Sequence, residues 1–294
     1  MSKIQWTEQT WNPVTGCSRV SPGCQNCYAE KMAYRIMNMG TKASEYYAGT
    51  TRKTRGGKTQ WTGRINTVES ALAKPLKVKK PTMFFVNSMS DFFHPDIPLE
   101  FLMQIWAVIR ATPRHTYQIL TKRPENILDR LPEDWGEGYP NVWLGVSIEG
   151  QGHDHRAETL SQVPAEIRFI SAEPLLSPLR FLYASELWDW GIGWVIVGGE
   201  SGPGARRCEM FWITDLIRDC NAAGVPVFMK QTGSYLAREM GLKDNKGGNM
   251  DEWPDGVINC REWPDIASYA YSREVLETRW IEERAQMIDK IKGK

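Results

Sequence analysis

The stretch "GCSRVSPGCQNCY" places Cys17, Cys24 and Cys27 within eleven residues, in a C-x6-C-x2-C pattern. Thiolates ligate metals, and the number of donors decides which metal suits them. A structural zinc ion takes four protein ligands, commonly two C-x2-C pairs or one pair plus histidine. Only one such pair occurs here, and His94, His115, His153 and His155 lie far off in sequence. Cys208 remains a candidate fourth ligand if the fold delivers it. An iron–sulfur cluster is normally held by four thiolates, so three leave one iron open to a substrate or cofactor. Three buried, unligated thiols are the plain alternative. The donor count favours the open cluster over zinc, and zinc over no metal.

Such a loop needs a scaffold, and the middle of the chain supplies one. Short apolar runs rich in β-branched and aromatic residues recur at 82 (TMFFVN), 115 (HTYQILT), 141 (NVWLGVS), 167 (IRFISA), 194 (WVIVGG) and 225 (VPVFMK). Their starts lie 26 to 33 residues apart, the length of a strand plus a crossover helix. The intervening stretches "LEFLMQIWAVIRA", "ENILDRL", "HDHRAETLSQV" and "FWITDLIRDCNAAG" read as helices, the last stopping at Gly224. Continuous apolar strands alternating with helices predict an α/β fold with a parallel sheet, as an incomplete or modified (β/α) barrel. Nearly every strand ends in a polar cluster. These are Asn87–Asp91 with Ser88 and Ser90, Thr121–Arg123 with Lys122, Ser147 and Glu149, Ser171 and Glu173, Gly198–Ser201 with Glu200, and Lys230–Gly233. In a barrel those ends converge on one rim, where active sites sit. Gly198 and Gly199 are read as letting backbone approach a ligand. No G-x-G-x-x-G fingerprint or Walker lysine accompanies them.

Composition bounds the function. The chain has 294 residues, 41% hydrophobic and 24% charged, as in soluble globular proteins. No run approaches the length of a membrane span, and "MSKIQWTEQ" lacks the apolar core of a signal peptide. A cytoplasmic location and no membrane partner are therefore expected, with reduced thiols. Net charge is +1, but residues 51–80 carry nine Lys or Arg against Glu69 alone, so that segment is +8 and the remainder −7. This basic segment suits a nucleic acid or nucleotide; a solvated loop balancing an acidic body is the bland reading. It reads as an insertion over about 41–80 in a barrel domain spanning 1–233. Residues 234–294 form a C-terminal extension packed on the barrel. The repeated "EWPD" at 252–255 and 262–265 predicts a small hairpin or paired turns, with Trp253 and Trp263 covering the barrel. The final stretch from Arg273 reads as a charged amphipathic helix.

A three-cysteine loop ahead of a (β/α) barrel resembles the radical S-adenosylmethionine (radical SAM) superfamily. More narrowly, "WNPVTGCSRVSPGCQNCYAE", "FFVNSMSDFFH", "ILTKRPEN", "VWLGVSIE", "RFISAEPLL", "VIVGGESGPGARR" and "VFMKQTG" are similar to a phage- and prophage-associated family of radical-SAM-like proteins. The resemblance covers about residues 4 to 265. It implies a 4Fe–4S cluster on Cys17, Cys24 and Cys27, S-adenosylmethionine on the open iron, and a protein or small-molecule electron donor. It further implies cofactor contacts from Ser88, Ser90 and Asp91, from Ser147 and Glu149, and from Lys122, Glu173, Gly198, Gly199 and Glu200. The loop departs from the superfamily pattern in its first gap of six residues. Asn26, not an aromatic residue, precedes the last cysteine, and Tyr28 follows it. The rival from another class is a zinc-stabilised nucleic-acid-binding protein of mobile elements, without catalysis.

Overall fold

A computed structural model describes residues 4–179, 184–254, 256 and 258–265. Its strands are β1 (Gln9–Trp11), β2 (Val14–Thr15), β3 (Thr51–Lys53), β4 (Thr59–Trp61), β5 (Asn66–Thr67), β6 (Met83–Val86), β7 (Thr116–Thr121), β8 (Val142–Ser147), β9 (Ile167–Ala172), β10 (Ile192–Gly198) and β11 (Val227–Gln231). The helices are α1 (Tyr28–Met37), α2 (Lys42–Tyr46), α3 (Glu69–Lys77), α4 (Leu99–Arg110), α5 (His155–Ser161), α6 (Ala184–Asp189), α7 (Met210–Ala222) and α8 (Ser234–Glu239). Seven strands form one all-parallel sheet in the order β1-β6-β7-β8-β9-β10-β11, curled into a half-barrel. The incomplete (β/α) barrel expected from the strand spacing is the fold.

The two faces of the sheet carry different chemistry because side chains alternate along a strand. One face and the helices share a large cluster of mixed aliphatic and aromatic residues. Helix α4 contributes Phe101, Leu102, Ile105, Trp106, Val108 and Ile109, a stripe at helical spacing. The other face is aromatic, with Phe85, Trp143, Phe169, Trp194 and Phe228 meeting Trp6 from the N-terminal segment. Gly145 makes that packing feasible: a Cβ there would lie 2.3 Å from the Phe169 ring. Towards the strand ends the same alternation reaches small residues, Ser147 on β8 opposite Ser171 on β9, and Gly198 on β10. The interior is thus plugged with rings at the N-terminal end and lined with small residues at the C-terminal end.

Several expectations change. β1 adds a strand ahead of those expected; its three residues are too few to stand out within the aromatic lead. The segment "ENILDRL" forms two single 3-10 turns, Pro124–Asn126 and Leu128–Arg130, because Pro132 disfavours helix at Leu131 and the run is short. The basic segment is not one insertion. Its first part forms the antiparallel hairpin β3–β4, whereas α3 packs against β1 and α4 as the crossover from β1 to β6. β5 pairs with β2, which ties the returning chain to the start of the cysteine loop. In the C-terminal segment, Arg261 bridges antiparallel to Phe228, and Cys260 O and Glu262 N bond β11. That contact shields the exposed sheet edge; Asp255 and Val257, within the expected hairpin or paired turns, lie outside the described residues. Trp253 is buried in the large cluster, and Trp263 stacks edge-on against Phe228 at 4.8 Å, so both cover the sheet as expected. The helix expected from Arg273 onwards lies outside the described residues.

Candidate functional site

The cysteine loop runs from Gly16 to Tyr28 over the C-terminal ends of the strands. Two glycines set its path. Gly16 has φ +88°, and a Cβ there would lie 2.1 Å from the Arg64 carbonyl oxygen; only glycine meets both conditions without strain. Gly23 lets the backbone lie against Glu149, whose Oε1 would be 2.3 Å from a Cβ. Cys17 and Cys27 pack with Ala29, Ala33, Tyr47, Trp61 and Met89 in a small cluster of their own. Cys27 N donates to Cys24 O at 3.3 Å, one turn before α1 begins.

Three acids latch this loop to the rim. Asp91, after β6, accepts from Arg123 Nη1 at 2.8 Å, from Thr121 Oγ1 at 2.6 Å, and from the backbone of Phe93 and Lys122. Arg123, so fixed, donates through Nη2 to Ser18 O at 2.9 Å and Ser18 Oγ at 2.8 Å, and reaches Cys17 Sγ at 3.9 Å through Nη1. His94 completes this corner. Asp96 N–H donates to Nδ1, so the proton sits on Nε2, which donates to Ser18 Oγ at 2.7 Å. Burial and the Arg123 charge hold His94 below its ordinary pKa.

Glu149, after β8, accepts from Ser21 Oγ at 2.6 Å and from Arg156 Nη1 at 2.9 Å, and pairs with Lys122 Nζ at 3.2 Å. Burial alone would raise its pKa, but Lys122, Ser21 and Arg156 outweigh it and hold the carboxyl below its ordinary range. Glu200, after β10, accepts from Asn26 Nδ2 at 2.9 Å and is clasped by Arg206, whose Nη1 donates onward to Pro22 O at 2.8 Å. Its pKa is likewise lowered: the push of burial is overcome by the bonds from Arg206 and Asn26. All three acids expected to meet a cofactor bond the loop, Glu149 and Glu200 directly and Asp91 through Arg123.

The remaining expected residues divide. Ser88 Oγ donates to Asn12 Oδ1 at 3.1 Å and Ser90 Oγ to Val14 O at 3.0 Å, so both hydroxyls hold the segment leading into the loop. Asn87, in a left-handed conformation with φ +57°, turns them there. Gly199 is close-packed: a Cβ would lie 2.2 Å from Thr232 O, so the space it leaves holds a neighbouring strand end rather than a ligand. At Gly198 the atoms nearest a Cβ would be side-chain carbons of Glu173 and Gln231, at 3.5 to 3.6 Å. Ser147 is buried at the end of β8. Glu173 and Lys230 form an ion pair at the ends of β9 and β11, each about one-fifth exposed (20% and 21%), and neither bonds the cysteine loop.

Sequence reasoning gave Lys122 a role but none to Arg123 in the same rim cluster or to Asn26 before the last cysteine, and it missed Arg206, Arg156, Ser18 and Ser21. The signal was present in "TKR" and "GARR", where a buried rim acid requires a cation close by. Cys208 and Cys220 pack in the large cluster, so Cys208 is not brought forward as a fourth ligand. Among the described residues no group of three or more His, Cys, Asp or Glu converges to hold a single ion.

The three thiols nonetheless lie on one short loop, Cys17 and Cys27 in the same small cluster and Cys24 joined to Cys27 through the backbone. Burial, with Asp91 adding to it, pushes the Cys17 thiol up to about 12, and burial raises Cys27 too. Thiols so placed ionise when a cationic centre supplies the missing charge. Three cysteine donors on one loop match in number a cluster with one open iron, and fall one short of a structural zinc site.

No helix among the described residues is long and apolar enough to cross a membrane. No curated protein and no solved structure matches the chain. Residues 1–264 match the family described as "Protein of unknown function (DUF5131)", and the chain belongs to that family.

Proposed function

We propose that this protein is a radical SAM enzyme, with a 4Fe–4S cluster held by Cys17, Cys24 and Cys27. One observation carries the reading: three free thiols on a single loop, latched over the C-terminal mouth of a parallel half-barrel. That mouth is where folds of this architecture keep their chemistry. When bound, the cluster supplies the electron that splits S-adenosylmethionine into methionine and a 5′-deoxyadenosyl radical.

The chain's own residues bind, orient and exclude water. Arg123 holds Ser18, and its guanidinium lies beside Cys17, where a positive charge favours the thiolate. Glu149 and Glu200 hold Ser21, three residues before Cys24, and Asn26, immediately before Cys27. Glu173 and Lys230 are the groups assigned to the bound nucleoside. Glu173 is an acceptor for ribose hydroxyls, and Lys230 a cation for a carboxylate or phosphate. The aromatic plug below closes the mouth's floor to water.

Anaerobic reconstitution is expected to give a brown protein with about four irons and matching sulfide. Reduction with S-adenosylmethionine present is expected to release 5′-deoxyadenosine, and Cys24→Ala to abolish both signals. One equivalent of zinc without sulfide, or full activity in the Cys24→Ala variant, would overturn the assignment in favour of the zinc-stabilised alternative.

A further inference from the structure

The nine cations of residues 51–80 separate in space, and two of them, Lys53 and Lys58, line a cleft beside the cysteine loop. Lys77, Lys79 and Lys80 lie at the end of α3 and ahead of β6, at the N-terminal end of the sheet. Lys74 donates to Thr10 O and lies over the Phe84 ring. Lys53 and Lys58, by contrast, sit on the β3–β4 hairpin. That hairpin faces α1 and the loop after β10 across an open cleft of about 440 Å³. Gln25 and Asn26, immediately before Cys27, line the same cleft.

Its charge is one-sided once pairs are removed. Glu30 is held by Arg19 at 2.6 and 2.7 Å, and Glu200 by Arg206, so both acids are neutralised. Lys31, Lys53 and Lys58 remain exposed, and among the described residues no ion pair is drawn to any of them. Lys53 Nζ is oriented by neutral partners, Gly57 O and Thr59 Oγ1, both at 3.1 Å, and lies over the Tyr34 ring. Arg52 and Arg55 extend the positive surface along the hairpin, which carries no acid. A row of unpaired cations, with no free carboxylate among them and carried partly on an extended hairpin, matches the evenly spaced phosphates of a nucleic-acid strand.

We propose that this cleft seats the phosphodiester backbone of a nucleic-acid strand and so delivers it to the mouth beneath the cysteine loop. As the route of a substrate, the inference rests on the radical SAM reading; as a binding site, it is measured without it. Fluorescence anisotropy of the reconstituted full chain with a labelled single-stranded 20-mer should show binding that weakens with salt. Three phosphate contacts give a log–log slope near about −2. K53A/K58A should weaken binding about tenfold and lower that slope by about 1.4. K79A/K80A, at the opposite end, should leave both unchanged. Equal loss in both double variants, no preference for the oligonucleotide over polyglutamate, or no competition beyond that of inorganic phosphate would each overturn the cleft. Iron content, read on the same samples, reports on the cluster alone, so the two readings fail separately.

Discussion

The acids of the rim fall into two kinds. Asp91, Glu149 and Glu200 are buried, saturated with donors, and bonded directly or through an arginine to the cysteine loop. Glu173 is paired only across the rim, with Lys230 and Gln231, and stays partly open. All four stand after strand ends and look alike in the sequence. The difference teaches that an acid at a strand end is a ligand group only where the protein leaves it an unfilled side. Where its bonds are complete, it has become part of the frame.

Breaking a latch should cost the most. Arg123→Ala leaves Asp91 buried without its cation and releases Ser18, so about 3–5 kcal/mol of stability should go, with cluster retention, as read by denaturant unfolding and iron content. Stability near wild type would erase the distinction between the two kinds of acid. Glu149→Gln keeps the shape but leaves Arg156 and Lys122 without a carboxylate, and about 1.5–3 kcal/mol should be lost by the same assay. Glu173→Gln should change stability by no more than about 1 kcal/mol, since its pair is partly solvated. It should nonetheless reduce 5′-deoxyadenosine release about a hundredfold, the scale of losing one preorganised polar contact. The opposite outcome, an unstable but active Glu173→Gln variant, would place it among the latches.

The smallest effect is in pH. Glu149 has a folded pKa below its ordinary 4.5, so its charge stabilises the native state above that value. The stability gap between wild type and Glu149→Gln should therefore be full at pH 6 and shrink as pH falls below about 4.5. A gap that stays constant down to pH 3 would mean that the bonds are steric rather than ionic.

Much of the scaffold was legible because its cause is local. The runs at 82, 115, 141, 167, 194 and 225 are apolar over a strand's length and end in polar residues. A parallel strand buried on both faces has no other composition open to it. β1 escaped because three residues, Gln9–Trp11, carry too little pattern, and the "ENILDRL" turns because a short apolar-polar alternation fits helix and 3-10 turn alike. The site was legible in kind but not in wiring. Lys122 and Arg123 are adjacent in sequence, yet one meets Glu149 and the other Asp91 and Ser18. No periodicity reveals which way each points. Residues 51–80 erred in the same manner, because charges close along the chain were taken as close in space, whereas α3 carries the later ones to the far end of the sheet.

The spacing of the latches along the chain has a consequence for biosynthesis. The contacts from Arg123 to Cys17, Glu149 to Ser21, Glu200 to Asn26 and Arg206 to Pro22 span 106, 128, 174 and 184 residues. A ribosome adding about 5–20 residues per second leaves the loop waiting on the order of ten seconds or more for its last anchor. During that interval the three sulfurs travel on an unanchored tether, exposed to oxidants and stray ions. On the cluster reading proposed above, loading belongs after translation has passed β10, and whatever guards the nascent thiols acts before then.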